Sequence, residues 1–323
     1  MSSLSPHIAL LNYPGAQAAA LYGLSDLFLA AARLHAQEGG QSPALRVSLW
    51  TASGDGQWVS GQDLSGNPEP PLTALLVPPS LEGERWRKES PALPDWVAAR
   101  HREGSLLCSV CAGTFLLAET GLLTGRQATT HWGLAEAFRT RYPKVDLAIE
   151  KMIVDEGDIL TAGGLMAWVD LGLRLVERYL GPATLLATAR FLLVDPGARE
   201  QRFYSRFAPR LDHGDGAVLK VQHWLQTPEA DGATVAEMAA TASLGERTFL
   251  RRFQKATGLA PKAYLQHLRV TRAQELLQHS ATTIAAVAWE VGYEDPAAFR
   301  KIFQRIVGLS PGDYRRRFTI GAG

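Results

Sequence analysis

Residues 284–311 read IAAVAWEVGYEDPAAFRKIFQRIVGLSP. A short apolar helix runs to Gly292, which turns the chain. Asp295-Pro296 then opens a second helix, with Asp at the N-cap and Pro at the first helical position, where its missing N–H costs nothing. Phe299 and Phe303 stand four apart and anchor that helix to a core along one side. Residues 235–261, VAEMAATASLGERTFLRRFQKATGLAP, repeat the plan. A short helix meets the tight turn Ser243-Leu244-Gly245, and a second helix follows with Phe249 and Phe253. Both passages end in Gly-Leu-x-Pro. The organisation is two helix–turn–helix units joined by one long helix, Pro261 to His279. At 1.5 Å per residue that connector spans roughly 28 Å, which suits two helices placed in successive major grooves about 34 Å apart on one face of B-DNA.

The pattern around these units is wholly helical. Helices are predicted at 217–225, 234–241, 246–255, 261–279, 283–291, 296–306 and 311–318. On the first recognition helix the Phe pair marks the buried side, and the opposite stripe is Arg247, Leu250, Arg251 and Gln254. On the second helix that stripe is Ala297, Arg300, Lys301 and Gln304. Arg252, Lys262, Arg269, Arg315 and Arg316 are candidate phosphate neutralisers.

Charge agrees with this division. The chain has 323 residues and a formal net charge of +1, which taken whole argues against a strongly basic nucleic-acid binder. Yet residues 1–216 hold 19 Lys+Arg against 23 Asp+Glu, net −4, and residues 217–323 hold 14 against 9, net +5. An acidic module precedes a basic one. Hydrophobic residues make up 46% and charged residues 20%, so the chain can bury cores and is not of disordered composition. No apolar run approaches the ~18 residues of a membrane span. MSSLSPHIALLNYPG has no basic n-region, long h-region or cleavage site, so no signal peptide is expected. Two cysteines exclude a disulfide scaffold, and a cytoplasmic setting is expected.

Residues 1–197 alternate strand-like and helix-like segments. Strands are expected at 7–13, 46–52, 73–77 and 106–110, with a hairpin at 152–155 and 159–161. Helices are expected at 18–37, 94–103, 114–120, 133–142, 165–179 and 182–193. That alternation predicts a mainly parallel sheet covered on both faces. A Gly-, Pro- and charge-rich stretch, 198–216, reads as a linker.

Within the α/β module Cys108 and Cys111 form a C-x-x-C, but no second Cys/His pair at ligand spacing accompanies it, so no metal site is expected. Their odd separation on a strand predicts opposite faces, with Cys108 in the core. Ser109-Val110-Cys111-Ala112-Gly113-Thr114 has the form of a nucleophile elbow: a strand ends, a thiol appears, and small residues lead into a helix. The helix N-terminus is expected to lower the thiol pKa. His131, in ATTHW, is a candidate base. A buried structural cysteine and a hydrogen-bonded histidine are the competing reading.

Two resemblances follow from these motifs. VCAGTFLLAETGLLTGRQATTHW, with Thr161–Gly164 and Asp170 beyond it, resembles the PfpI-like, class I glutamine amidotransferase-like superfamily, in the version fused to AraC/XylS-family regulators. It implies a flavodoxin-like doubly wound α/β domain with Cys111 and His131 at the nucleophile and histidine positions. GYEDPAAFRKIFQRIVGLSPGDYRRR, within 217–318, resembles the AraC/XylS DNA-binding domain. It implies an all-α reader of double-stranded DNA. The matching positions on the first recognition helix read bases, which assigns Arg247 and Arg251 to base edges, guanine being the usual Arg partner, and Leu250 to a thymine methyl. The short Ala and Pro residues of the second helix imply more phosphate contacts there. The family's hydroxylated cap before the first recognition helix is Gly245 here, a change worth a few tenths of a kcal/mol.

The sensor module departs from its enzymatic relatives. Ala20 stands where they carry an acid that engages the cysteine. Pro79-Ser80 replaces Gly-Gly and removes an amide donor. Ser109 replaces the leading Gly of the elbow. No catalytic residue and no cofactor is therefore assigned. Cys111, Ala112, His131 and Ser80 are expected to line a pocket for a small metabolite, with the Ser80 and Ala112 amides as an anion niche. An amino acid or amine is the effector class that the resemblance suggests. The expected protein is a homodimeric, metabolite-controlled regulator, an activator with RNA polymerase as partner. The alternatives are a thiol-dependent hydrolase or amidotransferase-like enzyme, and a Cys111 redox sensor.

Overall fold

A computed structural model describes residues 5–37, 45–52, 58–63, 72–197, 199–227, 230 and 232–319. The chain divides into two compact units, Met1–Gln201 and Arg202–Gly323.

In the first unit the chain runs β1(His7–Asn12), α1(Ala18–Gln37), β2(Arg46–Ala52), β3(Trp58–Asp63), β4(Ala74–Val77), α2(Trp86–Glu89), α3(Leu93–Arg102), β5(Leu106–Val110) and α4(Gly113–Glu119). It continues as β6(Gln127–Ala128), α5(Ala135–Arg141), β7(Asp146–Leu147), β8(Ile153–Asp155), β9(Ile159–Ala162) and α6(Trp168–Leu192). The seven-stranded sheet has the order β3-β2-β1-β4-β5-β9-β8. β2, β1, β4, β5 and β9 are parallel, and β3 and β8 close the edges antiparallel.

The apolar composition of β4, β5 and β9 follows from burial on both faces, which side chains of period two fill alternately. Ile8, Leu10, Leu76 and Cys108 face the cluster covered by α1 and α6. Ala9, Leu11, Leu75 and Leu107 face the cluster that holds Phe115 and Phe138. This is the doubly wound α/β layout expected from the sequence. The predicted hairpin forms as β8–β9, paired Ile153↔Ala162. The two helices expected over 165–193 meet at Gly181, whose φ of 87° interrupts α6.

Three expectations change. The helix expected over 133–142 divides into a 3-10 turn, Trp132–Leu134, and α5. The strands β3, β6 and β7 and the short α2 were not anticipated. The opposite-face placement of Cys108 and Cys111 does not hold. Cys111 lies beyond the end of β5, and both cysteines belong to the α1/α6-side cluster.

The second unit comprises α7(Gly216–Trp224), α8(Val235–Thr241), α9(Glu246–Thr257), α10(Pro261–His279), α11(Ile284–Glu290), α12(Pro296–Val307) and α13(Pro311–Phe318). Its helices start where the sequence carries caps. Thr234 and Glu237 form a capping box on α8, and Thr283, Asp295 and Ser310 cap α11, α12 and α13. Two cores result. Phe249 and Phe253 pack with Val218, Met238, Tyr264 and Leu265. Phe299 and Phe303 pack with Val287, Val291 and Tyr314, together with Val270, Ala273 and Leu277. α10 therefore lends its first half to one core and its second half to the other.

The stretch before α7 is fastened to these helices. The Phe207 ring meets Tyr264 edge-on, with centroids 5.1 Å apart. Gln222 Nε2 donates to Arg210 O at 2.9 Å, and Gln274 Nε2 donates to Ser205 O at 3.3 Å.

Candidate functional site: an elbow at the sheet and a pair of reading helices

The carboxyl ends of β1, β4 and β5 converge at the point where strand order reverses, between β1 and β4. In open α/β sheets this is where ligands bind. Cys111 follows β5 with φ 54°, a left-handed conformation that is costly for a residue with a Cβ. Its surroundings hold it there. Its N–H donates to Ala162 O at 2.8 Å, and its carbonyl accepts from Thr130 Oγ1 at 2.7 Å. Gly113 allows α4 to start hard against β4, because a Cβ there would lie 2.7 Å from Pro78 O.

Beneath the elbow lies a buried hydroxyl network. Thr114 Oγ1 donates to Thr129 O at 3.1 Å, so in its 3.0 Å bond with Ser109 the proton comes from Ser109. Thr129 N–H donates to Thr161 Oγ1 at 2.8 Å. Ser109 thus supplies one of the network's donors.

Electrostatics at the elbow disfavour a thiolate. Burial pushes the Cys111 thiol up to about 11, and the Ala112 amide, which donates to it, pulls only weakly the other way. The lowered thiol pKa expected from the helix start is not met, because Cys111 is only 5% exposed and desolvation wins. Burial likewise holds Cys108 far above the ordinary thiol range.

His131 caps the 3-10 turn. Its Nδ1 accepts from Gly133 N–H at 3.0 Å, so the neutral ring carries its proton on Nε2. The ring stacks on Trp132, and burial holds its pKa below the ordinary value. With Nδ1 engaged and Nε2 protonated, the imidazole has no lone pair ready for the thiol. The link between the two segments runs one residue earlier, through Thr130 and Cys111 O. Asp170 does not orient His131, since its carboxylate is forked by Arg199.

Ser80 bridges Ala16, and its Oγ accepts from the Glu82 amide at 3.2 Å. The carbonyl of Pro79 accepts from Gln17 N–H at 2.7 Å. Gln17, 7% exposed, has its Oε1 buried without a partner among the described residues. Ala20 is fully buried. Among the described residues, no group of three or more His, Cys, Asp or Glu side chains is placed to hold a metal ion. No helix there is long and apolar enough to cross a membrane.

The second helices of the two helix–turn–helix units, α9 and α12, are the second feature. Arg247, Leu250, Arg251 and Gln254 on α9 are all exposed, as are Ala297, Arg300, Lys301 and Gln304 on α12. The Phe pairs opposite them are fully buried, with ring centroids 5.3 and 5.6 Å apart. The residues expected at phosphates are placed less uniformly. Lys262 is exposed. Arg316 is exposed and pairs with Asp313. The guanidinium of Arg252 is engaged by Asp215, Nε to Oδ2 at 2.9 Å and Nη2 to Oδ1 at 2.6 Å. Arg269 lies over the Tyr293 ring at 5.5 Å. Arg315 is half-buried, and its Nε and Nη2 have no partner among the described residues.

Two functional features escaped sequence reasoning. The Arg252–Asp215 fork joins residues 37 apart. Gln201, in the segment read as linker, is 1% exposed and inserted beside the His131 segment. A glutamine inside a polar loop carries no signal of that kind.

Known proteins share both halves. Residues 73–178 match the DJ-1/PfpI family, and residues 238–317 match a helix-turn-helix domain. The HTH-type transcriptional regulator ArgR of Pseudomonas aeruginosa is 27% identical over 327 residues, which span 100% of this chain and 96% of that one. The HTH-type transcriptional regulator CdhR of the same species is 28% identical over 240 residues, 74% of this chain and 71% of that one. Among solved structures, an AraC family transcriptional regulator from Pseudomonas putida aligns at 19% identity. That alignment covers 58% of this chain and 99% of that chain, with a TM-score of 0.45.

Proposed function

We propose that this chain, an AraC-type helix-turn-helix protein carrying a DJ-1/PfpI domain, is a transcription activator whose reading of double-stranded DNA is set by a small metabolite. DNA binding and transcription regulation are the premise, since its homologues are HTH-type transcriptional regulators. The finer reading is ours. Residues 1–197 bind the effector and form the homodimer, 198–216 connect, and 217–323 read DNA and present the protein to RNA polymerase in the cytoplasm.

The observation that carries the reading is the pair of exposed stripes on α9 and α12, each backed by a buried Phe pair. Arg247 and Arg251 take base edges, and Leu250 and Gln254 complete that surface. Arg300, Lys301 and Gln304 sit mainly on phosphates beside Ala297. Lys262 and Arg316 add charge to the backbone contacts.

The effector occupies the elbow site, lined by Cys111, Ala112, His131 and Ser80, and no covalent chemistry occurs there. A thiol held protonated at neutral pH and a histidine without a free lone pair support binding over catalysis. The same buried thiol argues against a peroxide sensor, which needs an accessible thiolate. An amino acid or amine is the effector class.

Titration of the full-length protein with DNA from upstream of its own gene, at stated salt and against scrambled competitor, tests the DNA arm. Binding at least ~1,000-fold tighter than to competitor is expected, the lower end of the usual range of specific over non-specific binding. Equal affinity for both contradicts it. A thermal-shift screen of amino acids and amines, repeated on Cys111→Ala and His131→Ala, tests the effector arm.

A further inference from the structure

Gln201 is the residue at which the chain passes from the first unit to the second. Its carboxamide is saturated by one wall of the elbow site. Nε2 donates to Thr130 O at 2.8 Å and lies within 3.0 Å of Thr129 Oγ1 and 3.1 Å of Lys151 O. Oε1 accepts from Trp132 N–H at 3.2 Å, and the Gln201 N–H donates to Glu150 O at 3.0 Å. The residues held are those on either side of His131. Thr130 is also the residue whose hydroxyl donates to the carbonyl of Cys111 at 2.7 Å. Gly163 leaves room for this plug, because a Cβ there would lie 1.9 Å from Gln201 Nε2.

The next residues have a different anchor. Phe203 is buried, and both Arg202 and Phe203 lie against Gly308, the left-handed residue that ends α12. Arg202 Nη1 approaches Arg305 O at 3.4 Å, and Tyr204 meets Phe318 edge-on at 5.6 Å. Within four residues, Gln201 to Tyr204, the chain thus passes from bonds in the first unit to contacts in the second.

We propose that Gln201 is a positioning residue that couples the two: a change at the Cys111–Thr130–His131 wall alters the setting of Gln201, and through Arg202 and Phe203 the C-terminal turn of α12. Its use by an effector rests on the reading given under Proposed function, but its test does not. An effector screen that fails would remove that reading and leave this coupling standing.

The test is amide hydrogen exchange on the full-length protein, read by mass spectrometry, without any ligand. Thr130→Val removes the hydroxyl that bonds Cys111 within the first unit. Gln201→Leu removes the carboxamide, and Thr130→Ser restores the hydroxyl. Thr130→Val and Gln201→Leu should each speed exchange at least about tenfold both in 201–207 and in 305–309. Strand β1 and helix α1 should keep wild-type rates, and Thr130→Ser should return both segments close to wild type. Unchanged exchange at 305–309 in both variants overturns the proposal. So does an acceleration spread evenly over the whole chain, which marks mere loss of stability. Should Gln201→Leu fail to fold, Thr130→Val and Thr130→Ser decide alone.

Discussion

The first reading helix, α9, begins at Gly245 with no side-chain cap, whereas α12 begins at Asp295, whose carboxylate accepts from the amides of Ala297 and Ala298 at 2.8 and 3.2 Å. The turns before them also differ. The first helix–turn–helix takes its left-handed step at Ser243, φ 55°, and the second at Gly292, φ 82°. The exposed stripes carry equal charge, Arg247 and Arg251 on α9 against Arg300 and Lys301 on α12, each with a glutamine, and differ in the fourth residue, Leu250 against Ala297. One helix has the better-built start and the other the bulkier exposed stripe. A shared helix, α10, lets them specialise, because each core closes on its own half of it. The first helix–turn–helix has its own compensation in the Arg252–Asp215 fork, which ties α9 to the cap of α7. The position matching Arg252 is Ile302, which packs on the second core.

The largest effects test whether the cores are equivalent. Phe249→Ala and Phe299→Ala each remove a fully buried ring and should each cost about 3–5 kcal/mol in unfolding free energy, read by denaturant titration. A loss below 1 kcal/mol at either site would show that one unit does not depend on its core.

Next comes the division of labour on DNA. Arg251→Ala should cost ~1–3 kcal/mol and relax preference at one base pair. Lys301→Ala should weaken all sequences alike and lower the salt slope by about 1. Exchange of these two behaviours would reverse the roles given to α9 and α12.

Helix starts and turns follow. Asp295→Ala should cost about 1 kcal/mol, while Gly245→Ser should gain a few tenths. Ser243→Gly should stabilise and Gly292→Ala destabilise, each by about 1 kcal/mol, since only glycine adopts positive φ without strain. Thermal melts of the four variants check the signs.

The smallest effect is acid sensitivity. Arg252 holds the Asp215 carboxyl below the usual carboxylate range. A depressed folded pKa stabilises above the unfolded value of ~3.9, and the contribution is lost as pH falls through the folded value. Below about pH 4, amides of α7 and α9 should exchange faster than those of α11 and α12, and Arg252→Met should abolish the difference.

Most of the second unit was legible because its rules are local. Caps, the Phe pairs and Gly-Leu-x-Pro all lie within a few residues of the helices they shape, and the boundaries of α10 match the sequence expectation. The parallel sheet was legible from its apolar runs. The elbow was legible as a shape: Cys111 takes the strained conformation that its neighbours suggested. Its chemistry was not, because the thiol pKa depends on burial by residues distant in sequence, and the helix-start argument addressed only the smaller effect. Cys111 also left the strand alternation one residue after β5 ended, which defeated the opposite-face argument. Arg252 and Gln201 escaped for one reason: long-range partners, not their own neighbours in sequence, decide what a polar side chain does.

The central claim is that one subunit reads DNA with two helices set by α10. Hydroxyl-radical footprinting of the full-length protein on its upstream DNA tests it most directly. The account predicts, for each subunit, two protected patches on one face of the duplex, about one helical turn or ~34 Å apart. Arg247→Ala combined with Arg251→Ala should erase one patch and leave the other faint. A single patch per subunit, or protection that does not depend on sequence, would contradict it.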